Sequence, residues 1–281
     1  MLNCVFKEND MAFLVLAILC STAISVFLRM SNNKEHSLYG KLVCNYVTCS
    51  LCALLFSRVF RWNETTLVLG TVNGLLLVMS LYLMQLSMKL NGIALTGLYG
   101  RLGVCVPLLF SVFLFHEIPT WLQLIGMALS FLSIVLFFYQ SKINFKLGLT
   151  LLVFMIVSGL IDTMSKIYQF YGEPSLASQY FFLSFFMAAI LSFILMVIKK
   201  QKIAKNEILY GFLIGVPNYL SSYFLLISLN ELPSIIVYPM YSMLTIMTIS
   251  LCGYFFFKEK INKEMMMTFA LIMISIGLLN I

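Results

Sequence analysis

The chain has 281 residues, of which 61% are apolar and only 10% charged, with a mean hydropathy of +0.98 and a formal net charge of +7. A water-soluble domain of this size cannot hide so much apolar surface, so a soluble enzyme or binding module is excluded. The basic residues are dispersed over short polar islands with no basic-aromatic face to follow a phosphate backbone, which argues against nucleic acid and for lipid headgroups and topology.

Taken in chain order, the apolar runs predict ten membrane-spanning helices at about 11–28, 38–57, 67–88, 92–115, 120–139, 147–165, 176–198, 208–229, 233–257 and 265–281. Each is of the length a helix needs to cross a bilayer. The first run follows "MLNCVFKEND", whose charges sum to minus one, unlike the basic start of a secretory signal, so it reads as an uncleaved first span. Polar islands such as "RMSNNKEH" (29–36) and "KKQKIAKNE" (199–207) separate the runs. The remaining loops leave no room for a soluble catalytic or nucleotide-binding domain, so the function lies in the membrane part. Seven cysteines, at 4, 20, 44, 49, 52, 105 and 252, fall almost wholly inside the spans. Cys49 and Cys52 have redox-like spacing but sit in an apolar helix, where they read as small core residues.

The chain repeats itself. An offset of 142 pairs Phe115 with Phe257, Glu117 with Glu259, Ser133 with Ser275 and Tyr99 with Tyr241. Earlier in each half the offset slips to 137, where Ser21 meets Ser158 and Arg29 meets Lys166. Each half, 11–139 and 147–281, therefore reads as five spans, and an odd number makes the second copy enter the membrane from the opposite face. The predicted fold is an all-α integral membrane protein, ten helices in two inverted five-helix repeats. Such repeats exchange conformations and open a midplane site to alternate sides.

With two five-span halves, the fourth and ninth spans ending in "LFHE" and "FFKE", and small-residue fifth and tenth spans, the chain resembles the drug/metabolite transporter superfamily, specifically its ten-span EamA-type members. The resemblance covers residues 11 to 281. It implies a secondary active carrier in the inner cell membrane that moves small metabolites, commonly outward, by alternating access. No bound cofactor is expected, and the driving force is a proton or solute gradient. Short-chain relatives work as dimers; with both halves in one chain, a monomer or a homodimer is expected.

A buried charge in a membrane helix costs roughly 2.5 to 3.5 kcal/mol on insertion scales. Two sit well inside the spans: Arg101, in "LTGLYGRLGVCVPLL", and Asp162, in "MIVSGLIDTMSKIY". A planar guanidinium suits a substrate carboxylate, and Asp162 an amine or a coupling proton. The alternatives are an internal ion pair between the two, or Asp162 bonded to Lys166 one turn away. Lys166 and Arg29 end their spans and are expected to snorkel to the headgroups. Asn45, Asn73, Gln85, Tyr99, Asn218, Tyr238 and Tyr241 form a second tier on spans that, by the resemblance, surround the substrate pathway; interhelical hydrogen bonding accounts for each equally well. Asn218 follows Pro217 and Tyr238 precedes Pro239, where a proline frees a carbonyl and bends the helix. Glu117 and Glu259 are expected to be structural, Glu117 capping the helix entered through Pro119 and Glu259 lying among lysines.

Catalytic chemistry has no convergent residues here: His36 and His116 lie in loops, and there is no His-Glu-x-x-His helix, no mid-span aspartate pair and no Gly-x-Ser-x-Gly turn, so neither a metal site nor an enzyme is expected. The alternative within the same superfamily is a flippase for lipids or lipid-linked sugars. Orientation stays open. Four basic residues fall on the terminal side and thirteen on the other, which places both termini outside, whereas the resemblance implies cytoplasmic termini.

Overall fold

A computed structural model describes residues 8–31, 38–57, 59, 61, 63–91, 93–139, 148–258 and 263–279. Glu259 lies outside them, as does His36. The described residues form eleven α-helices and no strand: α1 (Glu8–Met30), α2 (Leu38–Phe56), α3 (Glu64–Asn91), α4 (Ile93–Leu102), α5 (Cys105–Phe113), α6 (Trp121–Tyr139), α7 (Leu149–Tyr171), α8 (Ala177–Ile198), α9 (Lys205–Glu231), α10 (Ser234–Phe257) and α11 (Lys263–Leu279). Seven of them, α1, α2, α3, α7, α8, α9 and α10, are long and apolar enough to cross a membrane. The expected fourth, fifth and tenth spans contain shorter apolar helical stretches, Tyr99–Phe113 (running from α4 into α5), Trp121–Leu136 and Met266–Leu279. A helix is the structure expected in lipid, because it satisfies its own backbone polar groups where no water is available.

The fourth span departs from the expected continuous helix: it is broken between α4 and α5. Pro107, the third residue of α5, has no N–H to give the carbonyl of Gly103 four residues earlier, and its ring crowds that carbonyl. Gly103 instead accepts from Val106 at 3.0 Å in a tight three-residue turn, and Val104 N donates to Arg101 O at 3.3 Å.

The side chains are distributed as lipid demands. Leu55, Phe113, Trp121, Phe255 and Phe256 stand exposed, whereas Ser111, Ser133, Thr163, Ser184, Ser192 and Ser275 are buried. Many buried hydroxyls are satisfied within their own helix, as with Thr163 to Gly159 O at 2.8 Å and Ser184 to Tyr180 O at 2.8 Å.

The chain forms two compact units, each drawing on both expected repeats: residues 1–75 with 167–232, and 76–166 with 233–281. In the first unit α9 packs along α1 and α2, and α8 along α2. Gly211 and Gly215 permit this approach: a Cβ on Gly215 would lie 2.6 Å from Thr48 Cβ and 2.8 Å from Asn45 O. This Gly-x-x-x-Gly pair acts as small residues do in lipid, letting backbones meet without a hydrophobic driving force. Cys49 is buried there as a small core residue, its thiol donating to Gly215 O at 3.2 Å. Lys41, near the start of the second expected span, is buried, its ammonium donating to Ser31 O at 3.1 Å just past the C-terminus of α1, where the helix dipole favours a cation.

In the second unit α6 packs along α11, and α10 meets α5, α6 and α11. Ser275 donates to Gly126 O at 2.6 Å across the α6–α11 contact. The start of α6 carries a reciprocal cap: Gln123 N donates to Thr120 Oγ1 at 3.2 Å and Thr120 N to Gln123 Oε1 at 3.0 Å. Glu117 therefore does not cap α6, contrary to expectation. Replacing Gly215 by Leu is expected to destabilise the protein by about 1–3 kcal/mol through overpacking against α2. Gly277→Leu, where a Cβ meets nothing within 4 Å, should leave the unfolding temperature of the detergent-purified protein close to wild type.

Candidate functional site

The second unit holds a cavity of about 330 Å³ whose wall includes Arg101, Asp162 and Tyr241. Three local arrangements build it. From α7, Phe154, Ser158 and Asp162 line it at four-residue spacing, one helical face turned inward. From α4, Thr96, Gly97, Gly100 and Arg101 contribute, and Arg101 sits in the last turn, where the helix dipole favours a cation. Met84 and Met88 of α3 add a flexible apolar patch, and α10 supplies Tyr241 and Ser242.

The break in the fourth span shapes the site. Around Gly159 of α7 a Cβ would collide with the Gly103 carbonyl and, at 2.6 Å, with Val106 Cβ. Only glycine lets the turn between α4 and α5 sit directly on α7, which puts Arg101 and Asp162 on one cavity. The two head groups are not an ion pair: among the described residues the salt bridge formed is Lys166 with Glu117, at 2.7 Å. Asp162 is likewise not engaged by Lys166. Arg101 and Asp162 therefore face one small space without forming a salt bridge, among the apolar side chains of Met84, Met88 and Phe154.

The other expected site residues are placed as follows. Tyr241 lines the cavity. Tyr238 is buried beside it, its hydroxyl donating to the backbone carbonyl of Asp162 at 2.7 Å. Tyr99 belongs to the same unit and is buried, without contributing to the wall. Asn45, Asn73 and Asn218 belong to the first unit. There Asn218 Nδ2 donates to Asn45 Oδ1 at 3.3 Å, and Asn73 Nδ2 to Ser184 Oγ at 3.1 Å, the interhelical bonding that was the alternative for each. Phe154 and Ser158 are not among the expected site residues, although they precede Asp162 at four-residue spacing, a readable signal.

Lys166 corrects a further expectation. It is only 6% exposed and does not snorkel; its ammonium meets Glu117 and lies 5.5 Å from the centre of the Phe115 ring. Arg29, at the end of α1, is exposed as expected.

Residues 146–281 match the model of the EamA-like transporter family. An uncharacterised protein of Haemophilus influenzae is 28% identical over 225 residues, covering 75% of this chain and 77% of that one. The crystal structure of another protein superposes with a TM-score of 0.77 at 13% identity, over 97% of this chain and 96% of that chain, a likeness of fold. The C-terminal part of the chain, residues 146–281, is thus similar to the EamA-like transporter family of the drug/metabolite transporter superfamily, and its apolar helices of membrane-spanning length make the chain a multi-pass membrane protein.

Proposed function

We propose that this protein is a secondary active transporter of a small zwitterionic metabolite, of amino-acid type, held between Arg101 and Asp162. The observation that carries the reading is that these two opposite charges line one cavity without pairing. Each is costly in the membrane, and one solute bearing a carboxylate and an ammonium compensates both. The guanidinium fork takes the carboxylate in bidentate fashion, Asp162 takes the ammonium, and Met84, Met88 and Phe154 take an apolar side chain. A volume of about 330 Å³ is at the small end of the usual range for small-molecule sites, about 300–1,000 Å³.

Transport follows by alternating access. Residues 11–139 and 147–281 act as inverted five-helix repeats; the corresponding fifth and tenth spans, α6 and α11, packing on each other supports this pairing. The protein resides in the inner cell membrane and works outward, as its EamA-type resemblance implies, drawing on a proton or solute gradient.

A thermal-shift screen of the detergent-purified protein tests the site. A zwitterionic amino acid at a hundred times its Kd is expected to stabilise the wild type by about 2.7 kcal/mol. Matched compounds lacking either the carboxylate or the amine should shift it far less. If only lipids or lipid-linked sugars stabilise the protein, the flippase reading replaces this one. Arg101→Ala and Asp162→Asn should each weaken binding by about 1.5–3 kcal/mol, the worth of a hydrogen bond to a charged group. Arg101→Lys, which keeps the charge but loses the fork, should restore only part of the affinity when titrated by calorimetry. Equal affinity in all three variants and wild type would remove the cavity from the mechanism.

A further inference from the structure

The partly buried pair of Glu117 and Lys166 lies outside the cavity wall yet joins three segments of the second unit. Lys166 Nζ meets Glu117 Oε1 at 2.7 Å. The same carboxylate accepts from Ser234 Oγ at 3.1 Å through Oε1 and from the backbone N–H of Ile235 at 3.2 Å through Oε2. Glu117 is thus the cap of α10, on the favourable positive end of that helix, and simultaneously the counter-ion of α7. It is presented by the non-helical segment after α5, where His116 takes a left-handed conformation (φ 53°) and Glu117 N donates to Ser111 O at 3.0 Å.

Its position relative to the cavity is fixed by helical spacing. Lys166 is four residues beyond Asp162 on α7, about 6 Å along the axis and on the same face. Ser234 is four residues before Tyr238 on α10, and Tyr238 bonds the Asp162 carbonyl. Two rungs therefore tie α7 to α10 beyond the cavity: Tyr238 to Asp162, then Glu117 bridging Lys166 and the first turn of α10. Between these rungs and the cavity residues Tyr241 and Ser242 stands Pro239. Without an N–H, it leaves the Ile235 carbonyl without its helical donor, a natural bending point.

We propose that the Glu117–Lys166 ion pair is a gate that closes the Arg101–Asp162 cavity at one end, and that breaking it lets Ser234–Tyr238 swing about Pro239 to open that end. The gate rests on the transport reading above. A buried ion pair adds little net stability over an apolar pair of similar volume; what it supplies is a contact whose two halves separate into hydrated ions once water enters, as a gate requires. Glu117 and Lys166 are positioning residues, acting on access to the cavity without lining it.

The test places a reporter in the cavity wall. Ser158→Cys is reacted with a membrane-impermeant cationic thiol reagent in sealed vesicles of either orientation, and labelling of the parent protein's own cysteines is subtracted. Glu117→Gln and Lys166→Met are each expected to raise the labelling rate by about tenfold from one membrane face and not the other, as a shift toward the open state does. Lys166→Arg, which keeps the pair, should label as the parent does. If a single variant leaves an unpaired ion and fails to fold, the double variant Glu117→Gln/Lys166→Met, which leaves none, carries the same expectation. Labelling unchanged from both faces overturns the gate and leaves the pair a cap for α10. Faster one-sided labelling in a protein that no zwitterion stabilises keeps the gate and discards the substrate class; zwitterion binding with unchanged labelling does the reverse.

Discussion

Proline 107 has no hydrogen to offer the carbonyl of Gly103, and in lipid no water offers one either, so the chain must turn where Val106 can reach back to it. That constraint ends α4 at Leu102 and leaves Arg101 in the final turn of a ten-residue helix. The turn can be housed only against a surface without side chains, and Gly159 of α7 supplies it. Asp162 stands one turn further along the same helix. The cavity and its two charges are thus consequences of one missing donor and one missing Cβ.

The second unit handles its charges in two ways. Glu117 and Lys166 neutralise each other and use their remaining bonding capacity on the start of α10 and the Phe115 ring. Arg101 and Asp162 are left facing a common space. Both arrangements cost solvation, but the first is complete within the protein and the second is left open to the cavity. In the first unit, by contrast, these polar side chains have partners within the protein: Asn218 with Asn45, Asn73 Nδ2 with Ser184, and Lys41 on the end of α1.

The apolar runs located the helices because crossing a bilayer demands length and hydrophobicity, both local properties. Arg101 and Asp162 stood out for the same reason, since charge in such a run is rare and costly. What lay beyond reading was tertiary. Glu117 was assigned to the nearer helix start, yet Thr120 and Gln123 already cap α6, a signal present in the sequence, and the carboxylate reaches a helix 117 residues away. Lys166 looked like a headgroup anchor because it ends an apolar run; its burial depends on Glu117 arriving from another segment. The asparagines were indistinguishable from substrate contacts because an amide in a helix serves either purpose. The sequence repeats also do not coincide with the compact units, each of which takes helices from both.

The broken fourth span also bears on how the protein is made. A ten-residue helix is about 15 Å long, half the thickness of the hydrocarbon core, and α4 carries Arg101 as well. Synthesised alone, this segment has neither the length nor the apolarity to settle across the bilayer. Its backing, the Gly159 face of α7, emerges from the ribosome only after α5 and α6 have followed it. The packing surface of the α4–α5 turn is therefore completed only by a helix encoded later in the chain.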